Sequence, residues 1–255
     1  MRDSELTTWI GEAARDLAEV AAIVGAQSPV PACPGWTIRQ LVAHVVSGLS
    51  GWYTYNLTHG ADPLDYAASW NSQPALPREN APRLARLVEA ADEFGELVHS
   101  IDLDAPCHVF QSRRTARAWL QRAATETAIH LREAQEVLGE IDSWPAERAI
   151  ASIDETLRVM WHGALLLRGD LQAERVPDEA IAVTAVDLGL VWLVRKTPAD
   201  FVVELLDQTA APAGLSVSGR SEALIPWLWG RTPTFRLDIT GDPARVDAWN
   251  LSARI

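Results

Sequence analysis

What most constrains this chain is a change of hydrophobic period partway along it. In the first half, Leu6, Ile10, Ala13, Leu17, Val20 and Val24 recur at spacings of three and four, which is one apolar face of a helix. The same period returns in Leu41, His44, Val45, Gly48, Leu49 and Trp52, and again in Leu84, Leu87, Val88, Ala91, Phe94 and Val98. It predicts a fourth helix from about Ser112 to Leu138, ended by Gly139 as a left-handed cap, and a fifth helical stretch from about Ala146 to Leu167. Beyond about Ala180 the runs become short and rich in Val, Ile and Phe: IAVTAV, VWLVRK, FVVELL, LSVSG and FRLDITG, punctuated by Gly, Pro and Asp. These predict about five strands, with SEALIPWLWGR as a helix on their sheet. The expected fold class is therefore α plus α+β: a helical bundle over residues 1–170 and a smaller α+β domain over 178–255. RGDLQAERVPDEA forms the linker between them.

Punctuation supports this division. SPVPACPGW breaks the chain after the first helix, and Thr37 with Gln40 three residues later is a capping-box pattern opening the second. The segment from about Gly60 to Pro82, rich in Pro, Asn, Asp and Ser, reads as a long loop, and loops of that length tend to serve function.

Composition narrows the partners. A formal net charge of -12 argues against nucleic acid or an anionic membrane face, both of which require a cationic surface. No run of about 18 apolar residues predicts a membrane span. The N-terminal MRDSELTTWIGEAARDL carries acids where a secretion signal would be basic and then apolar, so a soluble, cytoplasmic protein is expected. Two cysteines, Cys33 and Cys107, make no disulfide framework, and Cys33 reads as a buried or half-buried residue rather than a catalytic thiol.

One constellation carries chemistry. Glu126 and His130 lie four apart and leave one face of the fourth helix, in register with Trp119, Ala123 and Val137. His44 sits within the apolar stripe of the second helix. A carboxylate and two imidazoles directed at one interior need partners, and a divalent metal explains them together. Zinc suits two His and one carboxylate, though nickel, manganese and iron are also compatible. Spacing alone leaves an ion pair or a satisfied core histidine as alternatives. His59, His99, His108 and His162 read as surface or loop residues, and Trp36 and Trp52 as candidates for the mouth of a pocket.

The stretch CPGWTIRQLVAHVVSG, from Cys33 to Gly48, resembles the opening signature of the mycothiol-dependent maleylpyruvate isomerase family, actinobacterial relatives of the DinB-like metal-binding four-helix bundles. RAATETAIHLREAQEVLG, SIDETLRVMW, VSGRSEALIPWLWGR and ITGDPARVDAW continue the resemblance in the same order. It implies that His44, Glu126 and His130 bind zinc, and that the C-terminal domain is similar to sterol carrier protein folds. It implies also that the metal activates the thiol of mycothiol for addition to a small electrophile, giving cis–trans isomerisation or thiol S-transfer. Arg231, in WLWGR, is the candidate anchor for a substrate carboxylate, reaching across from the second domain, with a structural salt bridge as the alternative. Where the family commonly reads H-R-W-D, this chain has His130, Leu131, Arg132 and Glu133. Glu133 is then the expected support of the histidine, and the lost basic–aromatic pair leaves the substrate open. Two other readings fit the residues: a non-catalytic metal- or ligand-binding protein, and a metal-dependent hydrolase using bound water.

Overall fold

The computed structural model describes residues 1–63, 65–110, 112–163, 176–197, 201–207, 214–232 and 236–253. They group into two compact units, Met1–Asp142 and Ser143–Ile255.

The first unit is the expected helical bundle. Helix α1 (Asp3–Val24) buries Leu6, Ile10, Ala13, Leu17 and Val20, the stripe read from the sequence, and packs on the helices at Asn80–Ser100 and Arg117–Leu138. Burial of each large aliphatic in that stripe is worth about 1.5–3 kcal/mol. Helix α2 (Ile38–Ser47) opens where expected: the Thr37 N–H donates to Gln40 Oε1 at 2.9 Å. It runs on through a π-helical segment (Gly48–Tyr53) into α3 (Thr54–His59). Helix α5 (Asn80–Ser100) supplies the third long helix. Helix α6 (Arg117–Leu138) supplies the fourth, closed by Gly139 at φ 84° in the left-handed region that favours glycine.

Two expectations in this unit are corrected. The 60–82 segment is not wholly a loop: Tyr66–Asn71 forms a short helix, α4, capped by Asp65 Oδ1 accepting from the Ala68 N–H at 2.9 Å. The fourth helix begins at Arg117, because Ser112–Thr115 is strand β2, paired antiparallel with β1 (Pro106–Val109). The polar run SRRT has no alternation to betray a strand, and its partner across the turn decides its state.

The second unit contains a five-stranded sheet in the order β5-β4-β3-β6-β7, with β3 (Ile181–Ala185), β4 (Leu190–Lys196), β5 (Phe201–Asp207), β6 (Leu215–Gly219) and β7 (Asp238–Thr240). All five expected strands are present. Among the described residues, β3 and β6 pair in parallel and the other neighbours antiparallel. Central β3 is buried along its whole length, which is why IAVTA is nearly continuous in apolar residues. Helices α8 (Ser221–Leu228) and α9 (Pro243–Ala253) contact β6. The start of α8 is held by Asp187, which accepts from the Ser221 N–H at 2.8 Å and the Ser221 hydroxyl at 2.7 Å.

The fifth helix belongs to this sheet unit, not to the bundle. Helix α7 (Ala146–Glu155) and the π-helical segment after it (Thr156–Met160) contact α8 and β5. Arg158 donates to the Val203 carbonyl at 2.7 Å, and Trp161 packs against Phe201, Trp227 and Trp249. The division therefore falls near residue 142 rather than near 170, since amphipathic periodicity shows that a face is buried but not against what. Residues 164–175 of the expected linker lie outside the described residues.

Candidate metal centre

Helices α2 and α6 bring His44, Glu126 and His130 together, as expected from the sequence. Their α-helical spacing sets Glu126 and His130 one turn apart on the same face of α6. His44 Nε2 stands 2.9 Å from Glu126 Oε1, and His130 Nε2 stands 3.7 Å from the same oxygen. One ligand atom from each residue lies within 4.8 Å of the others. Bonds of about 2.0–2.2 Å to one cation place donors roughly 3–3.5 Å apart, and the 2.9 and 3.7 Å separations about Glu126 Oε1 lie close to that range.

Exposure is graded across the trio. The His130 side chain is 4% exposed, Glu126 18% and His44 42%. The site is thus walled on the α6 side and open beside His44, which corrects the expectation that His44 is enclosed in its apolar stripe. Trp36 lies at this opening, edge-on to His44 with ring centroids 5.2 Å apart and stacked toward His130 at 6.5 Å. Trp52 instead packs on Trp119.

Around the trio is a ring of supporting groups. His130 Nδ1 is 2.6 Å from Glu133 Oε2, so Glu133 takes the supporting place expected of it. The Cys33 thiol donates to the same oxygen at 3.2 Å. Cys33 is buried, in keeping with a structural thiol, and with His130 and Glu133 makes a second donor group of metal-binding dimensions that shares the histidine. Glu126 Oε2 accepts from the Tyr53 hydroxyl and pairs with Arg122 at 3.2 Å. Tyr53 and Arg122 are site residues that the sequence reading does not include. Tyr53 reaches Glu126 through a π turn that breaks the 3.6-residue period, while Arg122 lies one turn before Glu126 on the same face and was identifiable by that spacing.

Charge follows from this packing. Burial pushes the Glu126 carboxyl up, but hydrogen bonds and charge from His130 and His44 outweigh it and bring the pKa to about 2. Burial pulls His130 down, yet the neighbouring Glu133 charge, with hydrogen bonds to Glu126 and Glu133, raises it to about 9. In the absence of metal, the pair is therefore a carboxylate beside an imidazolium, a charge arrangement that a divalent cation can replace. The donor set and its spacing fit such a cation.

The other sequence candidates are carried by elements other than α2 and α6. Arg231 belongs to the second unit, just after α8, with its N–H donating to the Pro226 carbonyl at 2.8 Å. His59 is exposed and stacks on Tyr55, and His99 bonds the Gly95 carbonyl on its own helix. His108 is in β1. His162 is buried, contrary to the surface reading, in the helical stretch that packs on the sheet.

Residues 7–135 match the family model described as the mycothiol maleylpyruvate isomerase N-terminal domain. A crystal structure of a histidine-to-alanine mutant of the mycothiol-dependent maleylpyruvate isomerase has the same fold, with 13% sequence identity and a TM-score of 0.60. That alignment covers 94% of this chain and 93% of the other. Another crystal structure of mycothiol-dependent maleylpyruvate isomerase is 15% identical, with 91% of this chain and 90% of that one covered and a TM-score of 0.49. No curated protein matches the chain significantly.

Proposed function

Because the chain belongs to the mycothiol maleylpyruvate isomerase N-terminal domain family, we propose that it is a metal-dependent enzyme that uses mycothiol against a small electrophilic substrate. The observation that carries this reading is the convergence of His44, Glu126 and His130 in the bundle, with His44 exposed and His130 buried. These three residues would hold the cation, with zinc the best match to the donors. A divalent cation there supplies a positive charge that favours the thiolate over the thiol. The thiol supplies a nucleophile: its reversible addition to a cis double bond permits rotation and release of the trans isomer, and its attack at other electrophiles gives S-transfer.

The protein's own groups then have distinct tasks. Glu133 holds the His130 ring in one orientation through Nδ1, leaving Nε2 directed at Glu126 and the cation position. Trp36 and the wall of α6 restrict water to the His44 side, where thiol and substrate enter. Buried Cys33, donating its S–H to Glu133, is not the reacting thiol, which agrees with use of an external one. Arg231 is proposed as the anchor for a substrate carboxylate, because a guanidinium fork matches it bidentately. Among the described residues no helix is long and apolar enough to cross a membrane, and we take the site of action to be the cytoplasm.

Metal content of the purified protein beside a His130→Ala variant tests the reading, followed by a maleylpyruvate assay with and without mycothiol. About one metal per chain, lost in the variant, with turnover only when thiol is added, is expected. Turnover without thiol would favour a hydrolase, and no metal after reconstitution with zinc would refute the ligand assignment. Arg231→Gln is expected to raise KM for a carboxylated substrate while leaving metal content at the wild-type level.

A further inference from the structure

We propose that Tyr53 and Arg122 are positioning residues that occupy Glu126 Oε2, so that the carboxylate presents a single oxygen, Oε1, to the cation. This inference rests on the metal-site reading above and goes beyond it by assigning two residues outside the ligand trio. The two oxygens of Glu126 have separate surroundings. Oε1 faces His44 Nε2 at 2.9 Å and His130 Nε2 at 3.7 Å. Oε2 accepts from the Tyr53 hydroxyl and pairs with Arg122 at 3.2 Å. The Tyr53 hydroxyl and the Arg122 ion pair thus engage Oε2, while Oε1 is the oxygen nearest the two histidines.

Burial enforces the division. The Arg122 side chain is 4% exposed, and its guanidinium pairs with Glu126 in a place water barely reaches. Turning Oε2 toward a metal ion would separate a buried guanidinium from its ion-pair partner, a costly exchange. Tyr53 is placed by the π-helical segment. It lies nine residues after His44, about half a turn away around an uninterrupted α-helix. The π segment takes up an extra residue and brings Tyr53 roughly 100° back toward the His44 side. Gly48 makes room for the ring: a Cβ there would stand 3.3 Å from Tyr53 Cε2. The π turn, the glycine and the buried arginine all serve the same oxygen.

The chemical consequence is one more open position on the cation. Thiol and electrophile have to be held at the same site, and a carboxylate bound through both oxygens would take a position that one of them needs. Cobalt(II) tests this, since its visible bands weaken as coordination number rises. Wild type, Tyr53→Phe, Arg122→Gln and Arg122→Lys are compared for cobalt per chain, for affinity by chelator competition, and for visible spectrum. Wild type is expected to bind one cobalt with intense bands. Tyr53→Phe and Arg122→Gln are expected to bind it about 10–100-fold more weakly and with weaker bands, and Arg122→Lys to recover most of both. If Arg122→Gln does not fold, the conservative Tyr53→Phe decides alone. Variants that keep the wild-type spectrum and an affinity within about twofold overturn the proposal while leaving the metal site standing. Wild type that binds no cobalt overturns both.

Discussion

Metal affinity should rise steeply between pH 7 and pH 9, because binding has to displace a proton from His130. In the metal-free protein burial opposes the charged ring, but Glu133 and Glu126 outweigh burial and raise its pKa to about 9. A nitrogen that ligates must be unprotonated, so the apparent constant is scaled by the fraction of His130 that is neutral. With a pKa of about 9 that fraction is roughly 1 in 100 at pH 7 and about one half at pH 9. Affinity should therefore increase about fiftyfold across the interval, close to tenfold per pH unit at its lower end. Glu126, at about 2, is ionised throughout and adds nothing to this slope. The assay is competition for zinc against a chelator of known pH dependence, at constant ionic strength. Glu133→Gln removes the leading upward charge, so its slope should flatten even as affinity at pH 9 falls about 10–100-fold through lost orientation. A flat wild-type profile from pH 7 to 9 would refute the reasoning. The metal-free fold should show the opposite trend. His130 has a folded pKa above its unfolded value of 6.5, so its contribution is full below about 6.5 and is lost as pH rises through about 9. Melting of the apoprotein should fall over that window.

Two further outcomes follow from packing. Gly48→Ala would bring a Cβ to 3.3 Å from the Tyr53 ring, and the shift of the ring is expected to give a cobalt spectrum like that of Tyr53→Phe. Trp161→Ala removes a 2%-exposed ring from between Trp227 and Trp249 and should cost about 3–5 kcal/mol, read by loss of the sheet unit's transition in calorimetry.

Much of this protein is local and therefore legible in one dimension. The α1 stripe, the Thr37–Gln40 opening of α2, the Gly139 stop and the five short strands depend on neighbours three or four residues apart, or on alternation within a run. Glu126 and His130 were legible for the same reason, being one turn apart. Their union with His44, 82 residues from Glu126, was suggested by the two apolar stripes and strengthened by resemblance, since no period in the chain sets which helix faces meet. Tertiary structure alone decided what required a distant partner. SRRT became a strand by pairing with Pro106–Val109, and the fifth helix joined the sheet through Arg158 and Trp161. The π turn brought Tyr53 to a carboxylate on another helix, and Cys33 met Glu133 across 100 residues. Periodicity records that a face is buried. The identity of the surface that buries it, and of the polar group that meets it there, is a property of the folded chain.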